Sequence, residues 1–407
     1  MSTALSDPAK ATGRRTGGSP NLMLGLATVG FALNFWAWAL ISPLGPKLKD
    51  SLHLTSFQQA LIVAVPVIVG ALGRIPVGAL TDRLGGRVMF PAVSFAAIIP
   101  VLYLGLSGHT SFGGLLVGGF FLGIAGTSFA VGVPFVSAWF APERRGAAIG
   151  IFGAGMGGTA ISALTTVKLA KGHGTATPFV ITAIALAAYG LIALTVLRDA
   201  PGRHMPTEPV TKRLARALRV KITWQASALY AVTFGGYVAF SVYLPTYLKT
   251  GYSLTQADAS NRMAGFVLVA VVARPLGGWL SDRVDPARVL MGVLGLVVVG
   301  AAVQASTPAL MPLGTAAFLL MAAALGAGAG AVFALVAQRS PAGSVGAVTG
   351  VVGAAGGLGG FVPPLVMGSI YGQYGSYGLG LVLLAGVAFA AAAYTFLAMR
   401  RPASAPA

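Results

Sequence analysis

The chain is expected to be an all-α membrane protein in which twelve transmembrane helices form two six-helix halves. Three observations carry this expectation. Of 407 residues, 56% are hydrophobic and only 9% are charged, whereas soluble domains carry about 25% charged residues. Twelve apolar runs are each long enough to cross about 30 Å of hydrocarbon. The halves also share motifs at a fixed shift of 200 residues, as expected of alternating-access carriers built from parallel repeats with the site between them.

The runs fall near 22–44, 57–80, 88–106, 112–140, 146–168, 177–197, 223–247, 258–281, 287–306, 311–337, 345–371 and 378–398. Residues 1–20 are polar, with Gly, Ser and Pro, and read as a disordered tail. Ala37-Trp38-Ala39 has the small-residue pattern of a cleavage site, but the apolar run continues past it, so no cleaved leader is expected. Residues 21–197 and 222–398 form the two bundles, joined by a polar linker at 198–221 with seven basic residues and followed by a tail at 399–407.

With the N-terminus in the cytoplasm, 19 Lys and Arg fall inside, six outside, and two within helices. The positive-inside rule then makes both termini cytoplasmic. The formal charge of +18 is read as topology signalling, not as a nucleic-acid footprint. With no cysteine, disulfides and thiolate metal sites are excluded. The four histidines form no ligand cluster, and no cofactor is expected.

The two arginines within helices are Arg74 and Arg274. Each stands eight residues before an Asp-Arg pair, in Arg74-Ile-Pro-Val-Gly-Ala-Leu-Thr-Asp82-Arg83 and Arg274-Pro-Leu-Gly-Gly-Trp-Leu-Ser-Asp282-Arg283. That spacing lifts each guanidinium about 12 Å toward the bilayer interior, where a charge costs roughly 2.5–3.5 kcal/mol. A structural role would call for a buried carboxylate partner or for backbone carbonyls. The nine acids are Asp7, Asp50, Asp82, Glu143, Asp199, Glu208, Asp258, Asp282 and Asp285, all in tails, loops or helix ends. The counter-ion is therefore expected to arrive as substrate. Two permanently charged planar forks from opposite halves suit a small planar oxyanion.

A second repeat sits in helices five and eleven. There Gly146, Ala147, Gly150, Gly153, Ala154 and Gly157 align with Gly346, Ala347, Gly350, Gly353, Ala354 and Gly357. Small residues at this spacing let helices touch along their backbones. They also let bare backbone approach a small anion. Pro363-Pro364 is expected to bend helix eleven, because proline removes a backbone donor.

Gly78-Ala-Leu-Thr-Asp82-Arg83-Leu-Gly85-Gly86-Arg87 resembles the cytoplasmic loop signature of the major facilitator superfamily, and Asp282-Arg283 is a degenerate second copy. Its glycines permit a tight turn, and Asp82 can bind donors from neighbouring helices. The loop reads as a latch of the cytoplasmic side, or as a solvated turn. Three segments are similar to the NarK-type nitrate/nitrite porter family. They are the stretch around Arg74 and the glycine-rich runs Gly150–Gly158 and Gly353–Pro364.

The resemblance implies that the paired arginines hold nitrate or nitrite. It also implies that helices five and eleven form the nitrate signatures, through Gly155, Met156, Gly157, Gly356 and Gly357. Phe129, Tyr230 and Phe234 match places where the family sets aromatics around the anion; packing is the other reading of these rings. One departure stands out. The family commonly carries an asparagine where this chain has Met156, a change expected to weaken polar recognition and alter anion preference. Asn34 is a membrane amide able to supply a donor instead, or to bond a neighbouring helix.

Proton-coupled carriers usually place an acid or histidine in the membrane, and none falls there in this sequence. Exchange of one anion for another is therefore expected, nitrate in and nitrite out being the family's example. Proton symport stays open, with the proton carried by water or nitrous acid. Two further readings are a carrier of organic anions and a membrane sensor, which would usually carry an extra signalling domain. An enzyme is not expected, as no metal constellation, nucleophile triad or phosphate loop is present. The expected partners are a small inorganic anion and the lipid bilayer, for a monomer in a bacterial plasma (inner) membrane.

Overall fold

The computed structural model describes residues 18–201, 208–341 and 345–399. Most of the expected tails and the middle of the linker lie outside the described residues. Among the described residues, twelve helices are long and apolar enough to span a membrane. They are α1 (Pro20–Leu52), α2 (Ser56–Leu84), α3 (Gly86–Leu106), α4 (Phe112–Trp139), α5 (Arg144–His173), α6 (Thr177–Val196), α7 (Lys221–Gly251), α8 (Gln256–Arg283), α9 (Pro286–Ala305), α10 (Leu310–Arg339), α11 (Val345–Tyr374) and α12 (Gly378–Met399).

Repeated local signals start the two arginine-bearing helices. Thr55 caps α2 by accepting from Gln58 N, and the Gln58 side chain accepts from Thr55 N in return. Thr255 caps α8 by accepting from Asp258 N. Each cap satisfies donors that the first helical turn leaves unpaired. Beyond this the copies diverge. In α2 the helix ends at Leu72 and restarts at Arg74, which puts Pro76 in the first turn of the new segment, where its missing N–H costs little. In α8 the helix runs unbroken through Pro275.

The first span differs from its expected limit of residue 44. It breaks at Ala39-Leu40 and a second segment, Ile41–Leu52, carries it on, with Pro43 held in that segment's first turn. Span eleven is broken rather than bent. Val345–Gly359 ends, and Val362–Tyr374 restarts with its prolines in the first turn, the position where proline is tolerated best. The polar linker contains a helix at Val210–Leu218. Its last carbonyls are satisfied by α7, through Thr223 Oγ1 to Ala217 O at 2.6 Å and Trp224 Nε1 to Leu218 O at 2.8 Å.

Spans α1–α6 and α7–α12 form the two halves, which meet where α2 packs on α11, α5 on α8 and α1 on α7. On the face opposite the termini the seam is polar and tight. Ser42 Oγ donates to Val242 O at 2.7 Å, Gln59 Nε2 to Thr246 Oγ1 at 3.0 Å, and Gln256 Nε2 to Pro43 O at 2.7 Å. Lys249 and Asp50 pair at 2.8 Å on its rim. On the termini face the linker helix bridges the halves. It packs on α11, and Arg213 pairs with Asp82 of α2 at 2.6 Å.

Close approach rests on glycine at particular contacts. A Cβ on Gly158 would meet the Ala32 carbonyl of α1, and one on Gly330 would meet the Arg274 carbonyl of α8. The loop between α2 and α3 turns at Gly85 with φ of 84°, a conformation open to glycine at no steric cost. Gly158→Ala is expected to wedge α1 from α5 at a cost of about 1–3 kcal/mol, seen as a melting temperature several degrees lower in detergent.

Candidate functional site

Arg74 and Arg274 meet at the seam between the halves, each only 7% exposed. Each reaches across to the glycine-rich helix of the opposite half. Arg74 Nη1 donates to Gly353 O on α11 at 2.7 Å. Arg274 Nη1 donates to Met156 Sδ on α5 at 2.8 Å, and its Nη2 to the Tyr230 phenol oxygen at 3.2 Å. Since α2 corresponds to α8 and α11 to α5, the two reaches are related by the internal repeat.

Aromatic faces supply the rest of the support. The Arg74 guanidinium lies 5.2 Å from the Phe129 ring centre and 5.5 Å from that of Phe234. Arg274 lies 5.7 and 5.5 Å from the same two rings, and 5.7 Å from Phe333. One ring from each half therefore touches both cations. A desolvated cation–π contact contributes up to about 2 kcal/mol, comparable to part of the burial cost of a guanidinium. Tyr230 stacks on Phe234 at 4.9 Å and meets Phe333 edge-on at 4.8 Å, which fixes the phenol beside Arg274.

No carboxylate among the described residues lies within ion-pair distance of either arginine. Asp50, Asp82, Glu208, Asp258 and Asp285 pair instead with Lys249, Arg213, Arg216, Arg262 and Arg339. Arg74 Nε is buried without an acceptor. A cavity adjoins Arg74 between Phe35, Trp38, Val67, Ala71, Val238 and Gly357, with room for about one water.

The expected site residues separate into those at the arginines and those behind them. Phe129, Tyr230, Phe234 and Met156 touch a guanidinium, and Gly357 borders the cavity. Gly356 makes room for the Tyr230 ring, and Gly155 for the Phe31 ring. Gly157 is half-buried and faces open space. Asn34 is corrected. Its amide donates to Gly30 O at 2.8 Å and Ser94 Oγ at 2.9 Å, so it ties α1 to α3 and has no donor left for an anion.

At the loop motif Asp82 holds Arg213, Gly86 packs against Phe135, and Arg87 N donates to Asp199 at 3.3 Å. Gly78 is half-buried, Arg83 and Asp282 are exposed, and Arg283 lies over Trp279 at 4.0 Å. Sequence reasoning missed Phe333 and the carbonyl of Gly353. The repeat offered a signal for Gly353, through Gly153. Phe333 has Val133 at its counterpart, so the repeat hid it.

Two half-bundles that meet at a pair of buried arginines, with no carboxylate of the described residues within ion-pair distance, are the architecture of a secondary carrier of anions. A family model described as Major Facilitator Superfamily matches residues 27–362 and 227–407. The probable nitrate/nitrite transporter NarK2 of Mycobacterium tuberculosis (strain ATCC 25618 / H37Rv) is 49% identical over 394 residues, 95% of this chain and 98% of that one. The nitrite extrusion protein of Bacillus subtilis (strain 168) is 35% identical over 370 residues, 91% and 92% respectively. A solved bacterial homologue of the human lysosomal transporter Spinster, inward-facing and unoccupied, aligns with TM-score 0.72 at 20% identity over 93% of this chain and 96% of its own, a likeness of fold. The chain belongs to the nitrate/nitrite porter family of the major facilitator superfamily.

Asn34→Ala is expected to lower stability by about 1–2 kcal/mol through the lost α1–α3 bond while leaving anion affinity unchanged. Thermal unfolding and nitrate titration of the same preparation check both halves of this, and a weaker affinity would return Asn34 to the site.

Proposed function

We propose that the chain carries nitrate and nitrite through the plasma membrane by alternating access, binding one anion between Arg74 and Arg274. The observation that carries this reading is two buried guanidiniums against the same pair of rings with no acid between them. A planar oxyanion accepts from both forks at once and replaces the missing carboxylate. The rings of Phe129 and Phe234 offer apolar walls that a weakly hydrated anion tolerates better than a strongly hydrated one.

Exchange follows from the same charge balance. The anion neutralises one of two like charges, so the loaded seam closes at lower electrostatic cost than the empty one. An empty carrier crossing the occluded state would bring two unneutralised guanidiniums together, where the low dielectric magnifies repulsion. Nitrate entering against nitrite leaving fits this constraint, and relatives named for both anions support it. With the basic linker and the termini in the cytoplasm, the polar seam at Ser42, Gln59 and Thr246 faces outward, and the Asp82–Arg213 pair lies at the inner mouth.

Arg74→Ala and Arg274→Ala are each expected to abolish nitrate binding, and the lysine variants to keep charge but lose most transport. Isothermal titration and uptake measure this, and wild-type affinity in either alanine variant overturns the site. In proteoliposomes, labelled nitrate uptake is expected to require internal nitrite and to ignore an imposed pH gradient. Acceleration by external acid with empty vesicles would favour proton symport.

A further inference from the structure

We propose that Met156 is an internal stand-in for the substrate, a displaceable acceptor that occupies Arg274 when the site is empty and is pushed aside by the anion. The inference rests on the anion site proposed above. It starts from the asymmetry between the two arginines. Arg74 donates to a backbone carbonyl, Gly353 O at 2.7 Å, which can leave only if α11 itself moves. Arg274 donates to a side chain, Met156 Sδ at 2.8 Å. A thioether is neutral and a weak acceptor, so it holds a guanidinium loosely.

The surroundings fit a hinged ligand. Ala154–Gly157 forms a short 3-10 segment between the two α-helical parts of α5. The Met156 carbonyl accepts from Thr159 Oγ1 at 2.9 Å, and that hydroxyl lies 3.2 Å from the Tyr237 hydroxyl on α7. The backbone at position 156 is thus pinned to both halves. The side chain is buried at 1% exposure, and its freedom to swing rests on its three rotatable bonds and soft, adaptable end. A fixed base with an adaptable tip is what a replaceable ligand needs.

An N–H of Arg274 that points at sulfur cannot also point at an oxyanion. In the empty protein the thioether spares a buried donor from being unsatisfied, an exposure to desolvation cost that buried polar groups otherwise carry. When nitrate or nitrite enters, the charged oxygen outcompetes sulfur, and the displacement lowers affinity for either anion by the same factor. Met156 therefore sets how tightly the site holds and how readily it releases, without choosing between the two ions.

Met156→Leu tests this, because the two residues are close in volume and exchange at small cost in packing, while leucine offers no acceptor. Isothermal titration of purified protein is expected to give about two- to fivefold tighter binding of both nitrate and nitrite, with their affinity ratio unchanged. Weaker or equal binding, or a changed ratio, overturns the inference and makes Met156 a direct contact or a mere wall. A second measurement uses wild-type protein with 13C-labelled methionine methyls. The Met156 resonance, identified by its loss in Met156→Leu or Met156→Ile, is expected to shift saturably with nitrate and to stay fixed in Arg274→Ala. A resonance that ignores saturating nitrate in wild-type protein also overturns it. Wild-type protein that binds neither anion would instead overturn the site itself.

Discussion

Everything at the centre of this protein follows from holding two guanidinium charges in an apolar seam without a carboxylate. Such charges are tolerated only if other groups replace part of their hydration. Here these are a backbone carbonyl, a thioether, a phenol and three aromatic faces, each weaker than an acid. The combination keeps the cations in place yet leaves them under-satisfied, as the unpartnered Nε of Arg74 records. A carboxylate would have satisfied them fully and left nothing for a ligand to contribute.

That constraint explains why each arginine reaches across the seam. Gly353 O and Met156 Sδ each accept from the arginine of the opposite half, so the two guanidiniums bind the halves together at the proposed substrate site. In the proposed carrier, loading and rocking are then one event at the level of hydrogen bonds. The glycines of α5 and α11 serve it by keeping Cβ atoms out of the way, and those of α10 by letting α8 lie close enough to fix the backbone of Arg274. The two ends of the seam are closed by different chemistry. Buried hydrogen bonds seal the face opposite the termini, while the other face relies on an ion pair from the linker helix. Hydrogen bonds between buried groups must all break together when that end opens, whereas a half-exposed ion pair is screened and easily exchanged.

The repeat is strict in the arginines and loose around them. Phe234 corresponds to Asn34, but the asparagine amide is turned to Gly30 O and to Ser94 of α3. Gly153 and Gly353 correspond, yet only Gly353 accepts from an arginine, because Met156 stands where Arg274 reaches. Duplication thus supplied two equivalent cations, and the groups around them differ: Arg74 has one carbonyl acceptor and an unpartnered Nε, whereas Arg274 has a thioether and a phenol.

Twelve spans, their division into halves, the inward placement of Arg74 and Arg274 and the lack of any acid at their depth were all legible in the linear chain. They depend on local hydropathy, on spacing along a helix and on an inventory of residue types, none of which needs a partner to be known. The broken helices were legible only in part, since proline announces a lost donor without saying whether the helix bends or restarts. What surrounds the arginines was decided by tertiary structure alone. Which face of α1 meets α3, which carbonyl of α11 comes within 2.7 Å of Arg74, and that Phe333 closes the cage depend on how helices distant in sequence rotate against each other. That rotation is set by the packing of small residues over the whole seam, and no single stretch of sequence contains it.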